Sequence, residues 1–163
     1  MNLGRPSVRF TFTHPAHFIA LGFGAGLSPF APGTAGTLVA FPIWWALPGD
    51  LPPLVLLAGL ALAFAIGVWA CELTGRHLGV SDHGAMCWDE IVAFLLVLAL
   101  APSERPWQAA AFFLFRAFDV VKPPPIRALE RRMKGGFGVM FDDILAAGYT
   151  LLVLAIARRI LEP

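Results

Sequence analysis

Six of the eleven acidic side chains of this sequence gather in three short stretches whose other residues could complete a site for an anionic ester. Asp82 and His83 lie in SDHGAMCWDE, residues 81–90, which closes on Asp89 and Glu90. Asp119 stands midway between Arg116 and Lys122 in FRAFDVVKPPPIR, residues 115–127. Asp142 and Asp143 end GGFGVMFDD, residues 135–143. Adjacent carboxylates repel unless a cation or basic group stands between them. Hard carboxylate oxygens suit Mg²⁺, which keeps waters and shares substrate phosphate oxygens. Guanidinium and ammonium groups suit phosphate itself. Metal plus basic clamp is the recurring equipment of phosphoryl transfer, where catalysis is mostly positioning and charge stabilisation. Glu90, Asp119, Asp142 and Asp143 are therefore the first candidate metal ligands, with Asp89 and Asp82 next. Arg116, Lys122, Arg127 and Arg131 are candidate phosphate clamps, and His83 is placed for proton transfer.

A plainer account competes with this one. An acidic pair at the start of a helix suits its dipole. Arg116, Asp119 and Lys122 could be an ion-pair ladder beside a basic patch touching anionic lipid. That explains Arg131, Arg132 and Lys134, but it leaves Asp142 and Asp143 without a role.

The stretch GFGAGLSPFAPGTAGT, residues 22–37, adds glycines and the hydroxyls of Ser28, Thr34 and Thr37 just before an apolar run. Glycines let a backbone approach a ligand, and a helix N-terminus favours an anion. No GK[ST] follows, so it is not a Walker A loop. Close packing of membrane helices is the alternative use for such glycines.

The elements that must position these residues are apolar. The chain has 163 residues, of which 58% are hydrophobic and 14% charged, with mean hydropathy +0.72. A soluble domain carries about a quarter charged residues. Residues 53–71 hold no charge and suffice to cross a bilayer, and 144–157 form a second long run. Shorter runs occupy 37–47, 91–101 and 107–118; the first either crosses or re-enters. The expected fold is all-α: a small polytopic helical membrane protein of about five hydrophobic helices, one domain over 1–163 with a cytoplasmic segment at 1–17. Arg5, Arg9, Arg76, Arg116, Lys122, Arg127, Arg131, Arg132 and Lys134 then fall inside, and only Arg105, Arg158 and Arg159 outside. All three polar stretches meet at the cytoplasmic interface. No cleavable signal peptide is visible. The formal net charge of +1 gives no basic field for nucleic acid. Cys71 and Cys87 form no CxxC pair and read as buried thiols.

The four signatures GFGAGLSPFAPGT, DHGAMCWDE, FRAFDVVKPPPIR and GGFGVMFDD, in this order between Gly22 and Gly148, resemble the phosphatidylglycerophosphatase A family. The resemblance implies a Mg²⁺-dependent phosphatase in a bacterial cytoplasmic (inner) membrane that converts phosphatidylglycerophosphate to phosphatidylglycerol and phosphate. The expected partners are the phospholipid and the bilayer, with a homo-oligomer left open. Glu90, Asp119, Asp143 and His83 would be catalytic; attack by water or by an aspartate are both open. The competing class is a small membrane transporter or channel for phosphate or a cation, which also uses glycine-broken helices and charges at helix ends.

Overall fold

The computed structural model describes residues 5–130 and 132–161, and among these there is helix but no strand. Two short helices open the chain: α1 (Val8–Thr11) and α2 (Pro15–Ala20). The Ser7 hydroxyl caps α1 by accepting from Phe10 N–H at 3.1 Å. His14 Nδ1 caps α2 by accepting from Ala16 N–H at 3.0 Å, with Pro15 in the first turn. A 3₁₀ segment, Gly22–Leu27, leads to α3 (Pro32–Ala46). Then come α4 (Pro53–Leu78), α5 (Trp88–Leu100), α6 (Arg105–Val121), α7 (Ile126–Glu130) and α8 (Gly135–Leu161). Gly79, left-handed at φ 76°, ends α4, and Val80 N–H returns to the Gly75 carbonyl at 3.0 Å.

The five expected apolar helices are therefore present as α3, α4, α5, α6 and α8. Among the described residues, only α4 and α8 are long and apolar enough to cross a membrane. Their 26 and 27 residues give about 39 and 40 Å. The 15, 13 and 17 residues of α3, α5 and α6 give about 22, 20 and 25 Å, against about 30 Å of hydrocarbon.

α8 is the hub, packing on α4, α5, α6 and α7, while α3 packs on α5 and α2 on α4. α5 is the interior helix: every residue from Asp89 to Leu95 is buried, with Val97 and Leu98. Its run is apolar because protein surrounds it. α4 is different, with Leu54, Val55, Leu57 and Leu62 exposed. Only 17% of its most apolar window is buried, and so continuous an exposed apolar face needs lipid or a partner to cover it. The largest core cluster joins Phe94, Phe115, Ile91, Ile126 and Leu154. A second, around Ala70, Cys71, Met86, Val92 and Met140, seats α2.

Candidate functional site

α5 delivers Asp89 and Glu90 in its first turn, both buried. α6 delivers Arg116 and Asp119 one turn apart. Arg116 Nη1 lies 3.1 Å from Glu90 Oε1 and 2.8 Å from Asp119 Oδ2, and it donates to Thr37 Oγ1 at 3.3 Å. One guanidinium thus joins α3, α5 and α6. The Thr37 hydroxyl donates to the Gly33 carbonyl at 3.0 Å and accepts from Arg116, so its part here is to support Arg116. Gly33 leaves the notch in which Glu90 sits: a Cβ there would be 1.9 Å from Glu90 Oε1. Gly36 fits as closely against Cys87, with 2.6 Å to its Cβ. These two glycines of the 22–37 stretch therefore serve side-chain and backbone packing.

Asp142 and Asp143, which precede the apolar run 144–157, lie inside a helix and not at its start. Gly135 is left-handed at φ 80°, and Gly136 lies where a Cβ would meet the Val68 carbonyl oxygen of α4 at 2.0 Å. Its N–H donates to Glu72 Oε2 at 2.7 Å. α8 thus begins at Gly135, and the aspartates sit about 11 Å further along it. Both are buried. Asp142 Oδ2 accepts an ion pair from Lys122 Nζ. Asp143 lies within electrostatic reach of Asp89, Asp119, Glu90 and Asp142, and Asp89 within reach of Glu90, Asp82 and Asp142.

Lys122 ends α6 in the left-handed conformation at φ 45°, its N–H returning to Phe118 O at 2.8 Å. Arg127 Nη2 donates to the Val121 carbonyl at 2.9 Å, satisfying the same helix end. Tyr149 Oη ties the following proline turn to α8 through the Pro124 carbonyl at 2.9 Å. Between this turn, the 79–87 loop and α8 lies a cavity of about 530 Å³, lined among others by Ser81, Asp82, Arg127, Lys134, Gly138 and Asp142.

Of the residues singled out in the sequence, Glu90, Asp119, Asp142, Asp143, Asp89, Arg116, Lys122 and Thr37 come together. Asp82 and Arg127 line the adjoining cavity. His83 sits in the loop with Nδ1 accepting from Ala85 N–H at 3.1 Å. Ser28 is engaged in a turn, donating to Phe30 O at 2.8 Å, and Thr34 is half-buried on α3. Arg131 lies outside the described residues. Sequence reasoning missed Lys134 and Ser81 as cavity lining and Gly33 as the seat of Glu90. The distance between charged stretches in the chain hid them.

Among the described residues, no three His, Cys, Asp or Glu side chains already form a metal-binding group. The donor chemistry nonetheless fits a hard cation. Asp89 Oδ1, Glu90 Oε2 and Asp143 Oδ2 are buried carboxylate oxygens without a hydrogen-bond partner, and such atoms call for an explanation.

Comparisons with known proteins place the chain in a family. The sequence profile of the family described as phosphatidylglycerophosphatase A matches residues 18–158. The Escherichia coli (strain K12) phosphatidylglycerophosphatase A is 43% identical over 142 residues, 85% of this chain and 80% of that protein. The Haemophilus influenzae phosphatidylglycerophosphatase A is 41% identical over 155 residues, 94% and 95% of the two chains. A Bacteroides thetaiotaomicron protein described as a candidate phosphatidylinositol-3-phosphatase is 43% identical over 150 residues, 88% and 93%. No solved structure gives a significant match. On a profile that spans most of its length and relatives matched nearly end to end, the chain belongs to the phosphatidylglycerophosphatase A family of phosphatases.

Proposed function

We propose that the protein hydrolyses the terminal phosphomonoester of phosphatidylglycerophosphate at the α3–α5–α6–α8 carboxylate centre, with Mg²⁺ as cofactor and the centre facing the cytoplasm. The observation that carries the reading is the set of three buried, partnerless carboxylate oxygens on Asp89, Glu90 and Asp143, beside Arg116 and Lys122. Buried charge of one sign is costly unless an opposite charge joins it. Asp89, Glu90, Asp119, Asp142 and Asp143 would hold the ion, with Asp82 at the cavity edge. When bound, Mg²⁺ supplies positive charge to phosphoryl oxygens and lowers the pKa of a bound water.

The chain's own groups do the rest. Arg127 and Lys134 bind the anionic head group in the 530 Å³ cavity they line, and Lys122 adds its charge beside the lining Asp142. Arg116 holds Glu90 and Asp119 at a fixed separation and adds charge beside them. Since His83 Nδ1 accepts from Ala85 N–H, Nε2 carries the ring proton; it would give that proton to the departing glycerol oxygen and take one from the attacking water. Water adds to phosphorus as the ester P–O bond breaks, giving inorganic phosphate and phosphatidylglycerol.

The test is phosphate release by the purified protein in detergent. EDTA is expected to stop it and Mg²⁺ to restore it. Asp143→Asn is expected to lower turnover at least about a hundredfold while leaving the helical circular dichroism spectrum intact. EDTA-insensitive release would remove the metal, and normal turnover by Asp143→Asn would remove that residue. The Bacteroides relative supports a second reading, phosphatidylinositol-3-phosphate as substrate. It shares a phosphomonoester on a polyol and a phosphodiester to diacylglycerol, so both lipids belong in the assay. Family membership weighs against the transporter class.

A further inference from the structure

α8 presents two different surfaces beside its aspartate pair. Gly135, Gly138, Val139 and Asp142, spaced along one face, line the polar cavity. Phe137, Phe141 and Ile144, on the neighbouring face, line an apolar groove of about 400 Å³ completed by α4 and α5. Phe141 and Ile144 bracket Asp142–Asp143 in sequence. Val92, also in the groove, lies one turn beyond Asp89 on the same side of α5. The aromatic wall is ordered. Phe137 stacks on Phe141 at 5.5 Å between centroids, and Phe64 of α4 meets Phe137 edge-on at 6.0 Å. The groove is also placed unlike the rest of the lipid-facing surface, because it opens onto α5, the interior helix that carries Asp89 and Glu90.

We propose that this α4–α5–α8 groove binds one acyl chain of the phospholipid substrate and thereby sets its phosphate against the carboxylates. The proposal rests on the lipid-phosphatase reading above. Its occupant follows from continuity and complementarity. A ligand with an anionic head and an apolar tail matches a polar cavity carrying Arg127 and Lys134 and an apolar groove that share one helix, which also carries Asp142 and Asp143. A bilayer lipid without a phosphomonoester matches only the groove.

Ala61 lines the groove and Leu62, its neighbour, is exposed outside it. Ala61→Trp would fill the groove, and Leu62→Trp adds the same bulk on the lipid-facing side. Phosphate release is measured for dioleoyl and dihexanoyl phosphatidylglycerophosphate in detergent with Mg²⁺. The native enzyme is expected to prefer the dioleoyl lipid at least tenfold in kcat/KM. In Ala61→Trp that preference collapses through a raised KM for the long-chain lipid, with dihexanoyl turnover kept; Leu62→Trp behaves as native. Unchanged chain preference in Ala61→Trp overturns the proposal. Release from neither lipid by the native enzyme overturns the phosphatase reading and the groove's role with it. Should Ala61→Trp fail to fold, the native protein decides. A diazirine-acyl phosphatidic acid is expected to label α4 and α8 peptides bearing Phe64, Phe137 or Phe141, and substrate to compete it away. Labelling spread evenly over exposed apolar residues, or not competed, overturns it.

Discussion

A Cβ on Gly33 would stand 1.9 Å from Glu90 Oε1 and 3.0 Å from Arg116 Nη2. Neither neighbour can withdraw freely, because Arg116 is held by Glu90, Asp119 and Thr37. Gly33→Ala is therefore expected to lower kcat at least about tenfold and to destabilise by about 1–3 kcal/mol, the usual cost of overpacking. Gly59→Ala is the control: no atom lies within 4 Å of its Cβ position, and alanine in mid-helix stabilises by about 0.5–1 kcal/mol. Phosphate release and thermal unfolding of both variants check this, and equal activity would free Glu90 from its notch. The charged side chains of the site were legible in the sequence, since lone carboxylates beside apolar runs require an explanation. Gly33 was not. A missing side chain shows in sequence only as an opening, and reading it as room for a phosphate was natural until the structure showed the Glu90 carboxylate there. Thr37 went astray for the same reason, because its partners Arg116 and Gly33 lie on other turns and another helix.

At the level of elements, the five apolar runs were legible as helices because apolar residues dominate them for several turns, even with Pro42 inside the first and Arg116 inside the fourth. What each apolar face meets was not legible. α4 and α5 have similar apolar runs, yet one faces outward and the other is wrapped by protein. The start of α8 was also misplaced, since GGFG has turn composition yet opens the helix, in close backbone contact with α4. The sequence pattern marks 1–17 only as an N-terminal cytoplasmic segment. In fact α2 docks on α4, and buried His17 holds the joint: its Nε2 lies 2.8 Å from His77 Nδ1, with Phe10 O and Thr13 Oγ1 at its Nδ1. Burial lowers the His17 pKa from 6.5, and the charges of His77 and His14 act in the same direction against the Phe10 carbonyl. A lowered histidine pKa means the unfolded chain binds more protons. This contribution to stability is complete above pH 6.5 and is lost as pH falls through 6.5 toward the lower folded value. Thermal unfolding from pH 7.5 to 5.5 should show a drop in Tm that is smaller in His17→Gln. An identical drop would clear His17 of the effect.

Across the whole molecule, the helices run between two unlike ends. At one, Gly33 of α3, Glu90 of α5 and Arg116 of α6 touch, and Gly136 of α8 bonds Glu72 of α4. At the other, Trp45 of α3 donates to Gln108 of α6 at 3.4 Å. The shortness of α3 and α5 then has a geometric meaning. Both begin at the level of the carboxylates, while α4 and α8 continue past them for about two turns or more. The 3₁₀ segment, the 79–87 loop and α7 fill the space above. Beyond the site residues only about 15–21 Å of α3, α5 and α6 remains, less than a hydrocarbon core of about 30 Å. The basic residues Arg76, Arg127, Arg132 and Lys134 collect at the same end, and the cytoplasmic facing proposed above rests on the positive-inside tendency. That proposed topology can be measured with single cysteines. Native Cys71 and Cys87 are both buried, so they give little background to an impermeant maleimide. Asp50→Cys and Ser103→Cys, in the two loops at the far end, are expected to label on intact spheroplasts. Arg132→Cys should label only after permeabilisation. Labelling of Ser103→Cys and Arg132→Cys from the same side would mean that α5 and α6 do not cross. The carboxylate centre would then have to be reached from outside the bilayer.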